Sequence, residues 1–215
     1  MLTAMLTLPE ILMLFALHDD KGTLHPSTFM AIDHGLRGAC LCELRLRKIV
    51  QTRKNGEIRR HPNNFKPTGH PVLDPVIEVL ATGDSPAPVE TWLDLIRDGL
   101  PSLRNDITEG LESQGILGET DKERVLLPGS VTHPMTDPGR EHAMLAQIRQ
   151  GAHDGKKVQP RIGTLISLVS ACNLIEVLFA PDDHADARHT ADWVVERDAI
   201  SRAVREQVAR SEGTW

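Results

Sequence analysis

Residues 162–180 read "IGTLISLVSACNLIEVLFA", 19 residues in which Glu176 is the one charged side chain. The fold turns on whether this run lies in a bilayer or in a protein interior. A spanning helix needs about 20 apolar residues, so length alone does not decide. Composition does. Gly163, Thr164, Ser167, Ser170 and Asn173 interrupt the run, and a helix apolar nearly all round that also carries hydroxyls fits the centre of a protein better than lipid. The sequence therefore predicts a central buried helix over 161–179.

A second apolar run, "ILMLFAL" (11–17), has no basic residue before it and no small-residue cleavage site after it, so it does not read as a leader. Thr7 and Glu10 have capping-box spacing, and Leu6 and Ile11 the spacing of a hydrophobic staple, so a helix is expected to start here. Helical periodicity continues through the rest of the chain. Helices are expected over 8–18, 28–49, 72–81, 88–98, 102–114, 139–150, 161–179 and 184–210, separated by Pro- and Gly-rich breaks. "GIL" (115–117) and "RVLLP" (124–128) around "GETDKE" predict a short β-hairpin or wing. No internal repeat is visible. The expected architecture is mostly α: a single compact helical domain over 1–215, built around the central buried helix, with that hairpin attached.

Composition narrows the function. The chain has 215 residues, 40% apolar and 25% charged, with no Tyr, three Trp and four Phe. Few aromatics argue against a base-stacking platform. Three cysteines in apolar helical contexts (Cys40, Cys42 and Cys172) are too few for a disulfide framework or a zinc site and read as core residues in a reducing, cytoplasmic compartment. Over 45–61, "RLRKIVQTRKNGEIRRH", the local charge is +6 on a chain of −6 overall, which leaves −12 elsewhere. Such a segment is either an electrostatic footprint for an anionic surface or a solvated loop.

Three chemistries compete. His18, Asp19 and Asp20, and Asp183, His184, Asp186 and His189, are types that ligate metals or move protons. Both groups fall at helix ends, and HExxH, G-x-S-x-G, P-loop and G-x-G-x-x-G patterns are absent. No catalytic residue, metal or cofactor is therefore expected. Residues 102–128 have the outline of a winged helix, but Asp106, Glu109 and Glu112 against Arg104 would repel phosphate, so nucleic acid is not the expected partner. The third reading is an anionic lipid. Phe29, Ile32, Leu36, Cys40 and Leu44 form a stripe that predicts burial. Arg37 sits at its edge between Gly35 and Gly38, whose missing side chains would let a neighbouring backbone or a phosphate approach the guanidinium. Pairing of Arg37 with a buried carboxylate is the competing expectation.

Six segments, "LTLPEILMLFALHDDKG" (6–22), "GLRGACLCELRLRKI" (35–49), "PTGHPVLDPVIEVL" (67–80), "LESQGIL" (111–117), "VTHPMTD" (131–137) and "RIGTLISLVSACNLIEVLFAP" (161–181), occur in an order that resembles the Golgi phosphoprotein 3 family. The resemblance implies a non-catalytic peripheral membrane protein. Its eukaryotic members bind phosphatidylinositol 4-phosphate and act as adaptors for glycosyltransferase tails and the vesicle coat. Their headgroup pocket uses one tryptophan and three arginines. By motif, Arg37 and Arg104 match two of the arginines. Thr28, with Phe29 beside it as an apolar wall, stands in place of the tryptophan, and Pro101 in place of the third arginine. The shared region starts at Leu6, without the basic N-terminal extension of eukaryotic members, so a bacterial-type member is expected.

The resemblance also implies that the 115–133 hairpin, with Val125, Leu126 and Leu127, mediates homo-oligomerisation. The resulting expectation is a cytoplasmic, peripherally membrane-associated adaptor that binds anionic, phosphatidylinositol 4-phosphate-like headgroups through Arg37, Arg104, Phe29 and Thr28. The alternatives are a protein–protein adaptor that has lost lipid recognition, and a winged-helix regulator.

Overall fold

The interior helix expected from 162–180 is α7 (Pro160–Ala171), shorter than the apolar run that announces it. The computed structural model describes residues 6–17, 23–118 and 138–213. The helix stops because Asn173 takes a left-handed conformation, φ 58°. Leu174 N–H then reaches Val169 O at 3.0 Å and Asn173 N–H reaches Ser170 O at 3.2 Å, the paired bonds of a Schellman stop. The rest of the run forms the single turn α8 (Ile175–Leu178).

Of the hydroxyls that argue against lipid, that of Ser167 is used inside. Ser201 donates to Asp198 Oδ2 (2.9 Å) and lies 2.9 Å from Ser167 Oγ, which also reaches Thr164 O at 2.7 Å. All three side chains are buried. A buried polar group without a partner costs on the order of 1–3 kcal/mol, and this chain of contacts removes that cost. Among the described residues no helix is long and apolar enough to cross a membrane.

α7 shares the centre with α2 (Ile32–Leu46), whose residues from Gly35 to Leu44 are all buried. Around the pair pack α1 (Leu8–Ala16), α4 (Val89–Gly99), α5 (Leu103–Ser113), α6 (Pro138–Asp154), α9 (His184–Arg197) and α10 (Ala199–Glu212), with α3 (Leu73–Thr82) against α4. One apolar cluster runs through the elements.

The glycines of α2 exist for this packing. A Cβ on Gly35 would stand 2.2 Å from Cys172 Sγ, and one on Gly38 would stand 2.1 Å from Val204 Cγ2 of α10. Close approach is required here, but the visitors are side chains of neighbouring helices, not a headgroup.

Other segments also differ from expectation. The helix expected from residue 28 begins at Ile32, after a 3-10 turn over Pro26–Thr28. The helix expected over 184–210 is two helices, because Asp198 is extended (φ −118°, ψ 110°) and caps α10 by accepting from Ile200 N–H at 3.0 Å. The basic stretch 45–61 contains a hairpin, β1 (Val50–Thr52) against β2 (Ile58–Arg60), antiparallel with Val50 opposite Arg60.

Its cations are partly consumed by the fold. Arg45 binds Asp198 bidentately, with Nη2 to Oδ2 at 2.8 Å. Arg47 binds Glu43 at 2.8 Å and Arg53 binds Glu57 at 3.1 Å. Arg60 donates to Ala81 O (2.7 Å) and lies over the Phe65 ring. Val125, Leu126 and Leu127 of the hairpin expected after residue 115 lie outside the described residues, as do His18, Asp19 and Asp20.

Candidate functional site

α2 carries its charges at two levels. In the lower half Glu43 is buried and saturated: it accepts from Leu8 N–H at 3.0 Å, from Arg161 Nη1 at 2.8 Å and from Arg47 Nε at 2.8 Å. Burial pushes its carboxyl up, but these donors outweigh burial and hold it below its ordinary value. The interaction ties α1, α2 and α7 together.

In the upper half Arg37 is 8% exposed, and one of its donors has no protein partner. Nη2 donates to His34 Nδ1 at 2.9 Å, while Nε–H is buried and unpaired. Burial pushes the guanidinium below its ordinary pKa, against the pull of Asp33. His34 is held below its usual pKa, first by burial and further by Arg37, so at neutral pH it is the uncharged acceptor that Arg37 needs. Its Nδ1 also lies 3.1 Å from Gln207 Oε1. A single ring nitrogen either accepts from Arg37 or donates to Gln207.

Arg37 opens into a cavity of about 220 Å³ lined by Asp33, Leu36, Arg97, Leu100, Pro101, Leu103 and Arg104. Three arginines from three helices thus share one space. Arg104 stands on the first turn of α5 with Nη1 3.6 Å from Asp33 Oδ1. Arg97 comes from the last turn of α4, where Nη1 donates to Asp94 (2.7 Å) and Nε to Asp98 (2.8 Å). Hydrogen bonding to Asp98 and the charge of Asp94 push its guanidinium above its ordinary value.

The three-residue turn at 100–102 joins α4 to α5, and Arg97 and Arg104 on either side of it line the same cavity. Leu103 and Arg104, at the start of α5, put that helix's positive end at the cavity wall, which favours an anion. Leu36, Leu100 and Leu103 supply apolar wall.

The residues singled out in the sequence separate. Arg37, Arg104 and Pro101 line the cavity together. Thr28 is fully buried and is not among the lining residues; its hydroxyl has no protein partner. Phe29, expected in the buried stripe and as an apolar wall, is 60% exposed and also outside the lining. The stripe starts at Ile32, because the chain enters the helix through a turn that leaves Phe29 on the outside.

Arg97 is the residue that sequence reasoning missed. In "DLIRDG" it looks like an ordinary surface charge between two aspartates, and the signal that could have found it is the tight Gly99–Ser102 turn separating it from Arg104. Pro101 stands where a third arginine was expected. Arg97, four residues earlier, reaches the same space.

Among the described residues no group of three His, Cys, Asp or Glu side chains could hold a metal ion. His184 Nε2 instead contacts Phe179 O at 3.1 Å, and Asp183 and Asp186 face His153 at 3.5 and 3.1 Å.

Comparison with known proteins places this geometry in a family. The family model described as Golgi phosphoprotein 3 (GPP34) matches residues 8–211. The chain belongs to the Golgi phosphoprotein 3 family. Similar relatives include Vacuolar protein sorting-associated protein 74 of Schizosaccharomyces pombe, 30% identical over 152 residues that cover 61% of this chain and 44% of that protein. The protein of the same name from Eremothecium gossypii is 28% identical over 163 residues, covering 66% of this chain and 48% of the relative. The chain thus spans just under half the length of these curated relatives in the matched regions. In this member of the Golgi phosphoprotein 3 family, the GLRG motif supplies both the packing glycines of α2 and the arginine of the cavity.

Proposed function

We propose that this chain is a non-catalytic, peripheral membrane adaptor whose cavity takes the phosphorylated headgroup of an anionic lipid, phosphatidylinositol 4-phosphate-like in its chemistry. One observation carries the reading: an arginine more than nine-tenths buried, with a buried and unpaired Nε–H, opens into a cavity that two further arginines also line. A charged donor left unsatisfied in the interior is costly, and a phosphate oxygen is the acceptor that arginine geometry suits best. The pairs of Arg97 with Asp94 and Asp98 are exposed, and solvent-screened pairs of this kind are weak enough to be exchanged for a phosphate. The relatives' name, which speaks of vacuolar protein sorting, agrees with an adaptor at a membrane.

A second reading, a protein-binding adaptor without lipid recognition, draws on Asp33, Asp94 and Asp98, which offset the three arginines. Co-sedimentation with phosphatidylcholine vesicles, with and without phosphatidylinositol 4-phosphate, separates the two. Retention that requires the phosphoinositide and is lost in Arg37→Ala supports the lipid reading. Absence of retention at low and physiological salt supports the protein adaptor. Self-association through Val125, Leu126 and Leu127 is a separate proposal, checked by the mass of the particle at rising concentration.

A further inference from the structure

Phe29 and Met30 are consecutive and are 60% and 45% exposed, the two most exposed large apolar side chains among the described residues. Single exposed apolar residues are common and need no explanation. An aromatic beside a methionine on a rigid base, next to a cavity that holds an unpaired arginine N–H, does.

The base is rigid because its neighbours are fixed. Thr28, Ala31 and Ile32 are fully buried, Ala31 N–H donates to Thr28 O at 2.9 Å, and Gly35 N–H donates to Ala31 O at 3.0 Å. From the other side, Asn173 Nδ2 reaches Ser27 O at 3.4 Å. Phe29 and Met30 sit in the turn that leads from the 3-10 helix into α2, four and three residues before Asp33. Asp33, Leu36 and Arg37 line the cavity. Chain length alone keeps the apolar pair within about 14 Å of Asp33, at no more than ~3.6 Å per residue.

From this juxtaposition we infer that Phe29 and Met30 form a two-residue wedge that enters the apolar layer of a bilayer while the arginine cavity holds a headgroup of the same leaflet. The inference rests on the headgroup reading above and adds how the protein is oriented. A phosphate in the cavity sits at the polar surface of the membrane. Exposed side chains this close to the cavity reach the boundary with the acyl chains. Aromatic rings are favoured at that boundary, and Met adapts to an irregular surface. A bilayer is favoured over a second copy of the chain because the wedge adjoins the cavity in which Arg37 keeps a buried, unpaired N–H for an anion, and a lipid supplies a phosphate and an apolar layer side by side.

Two measurements test the wedge. The first places an environment-sensitive fluorophore at Met30→Cys. Labelling is selective because Cys40, Cys42 and Cys172 are fully buried, and burial pushes the Cys172 thiol up to about 12 and those of Cys40 and Cys42 higher still. With phosphatidylcholine vesicles containing phosphatidylinositol 4-phosphate, the emission should shift to the blue and be quenched by nitroxide-labelled lipid. The second compares the Phe29→Ser, Met30→Ser double variant with wild type. Vesicle affinity should fall on the order of tenfold or more, with thermal stability and calorimetric affinity for the soluble headgroup, glycerophosphoinositol 4-phosphate, unchanged.

If the soluble headgroup and the vesicles bind but the fluorophore stays unquenched and the double variant binds equally, the wedge is overturned and the headgroup reading stands. If neither headgroup nor vesicle binds wild type, both fall. A spectral shift that follows protein concentration without vesicles overturns the wedge in favour of a second copy.

Discussion

Arg37 and Arg45 lie two turns apart on the same helix and have opposite fates. Arg45 is closed: both terminal nitrogens bind Asp198, which also caps α10 and accepts from Ser201. Arg37 is open: one nitrogen binds a neutral histidine, another N–H is orphaned, and the side chain lines a cavity. A buried arginine whose carboxylate is supplied by the fold is part of the scaffold. One that lacks a direct carboxylate partner and faces empty space can take its anion from outside. Formal charge alone does not distinguish the two positions; the accounting of their donors does.

The contrast breaks most visibly at Asp198. Asp198→Ala removes the partner of Arg45 and the cap of α10, and should cost about 3 kcal/mol or more in chemical denaturation. Headgroup affinity of the folded fraction should be unchanged. Acid should produce a loss of similar size at Glu10. Burial pushes that carboxyl up, but donors from His70, Thr7 and Gln114 outweigh it and hold it at about 2. The folded value lies below the ordinary 4.5, so the stabilisation is present above about pH 4.5 and is lost as pH falls toward 2, at most about 3 kcal/mol. Denaturation midpoints across that range should flatten in Glu10→Gln.

Gly38→Ala sharpens the comparison. Its Cβ meets fully buried Val204, a cost of about 1–3 kcal/mol by overpacking. Stability, not headgroup affinity, should fall if the glycine serves packing. Arg37→Ala should show the reverse pattern: headgroup affinity lower by tenfold or more, and a denaturation midpoint equal to or above wild type. The smallest effect is expected at Arg97→Ala, a few-fold loss of affinity, because Asp94 and Asp98 already compete for that cation.

The helices and their order were legible because apolar spacing reports burial directly. Breaks inside apolar runs were not. Asn173 ends α7 by a single left-handed residue, and Asp198 splits 184–210 while the apolar spacing continues across it, so periodicity is blind to both. The β1–β2 hairpin carried an Asn55–Gly56 turn signal, but the charge of 45–61 dominated the reading of that stretch. At the cavity, Arg37 and Arg104 were found through a motif. Arg97 was not, because it shares the cavity with Arg104 only by way of the turn at 100–102 that joins α4 to α5. Gly35 and Gly38 read in the sequence as openings for a backbone or a phosphate beside Arg37, whereas the structure fills both with the packing side chains of Cys172 and Val204.

The central claim is that the cavity at Arg37 is an anion site, and the most direct test is calorimetric titration of glycerophosphoinositol 4-phosphate into wild type and Arg37→Ala, both verified as folded. Saturable binding that Arg37→Ala abolishes is the predicted result. Equal binding by both proteins, or none by wild type, would contradict it.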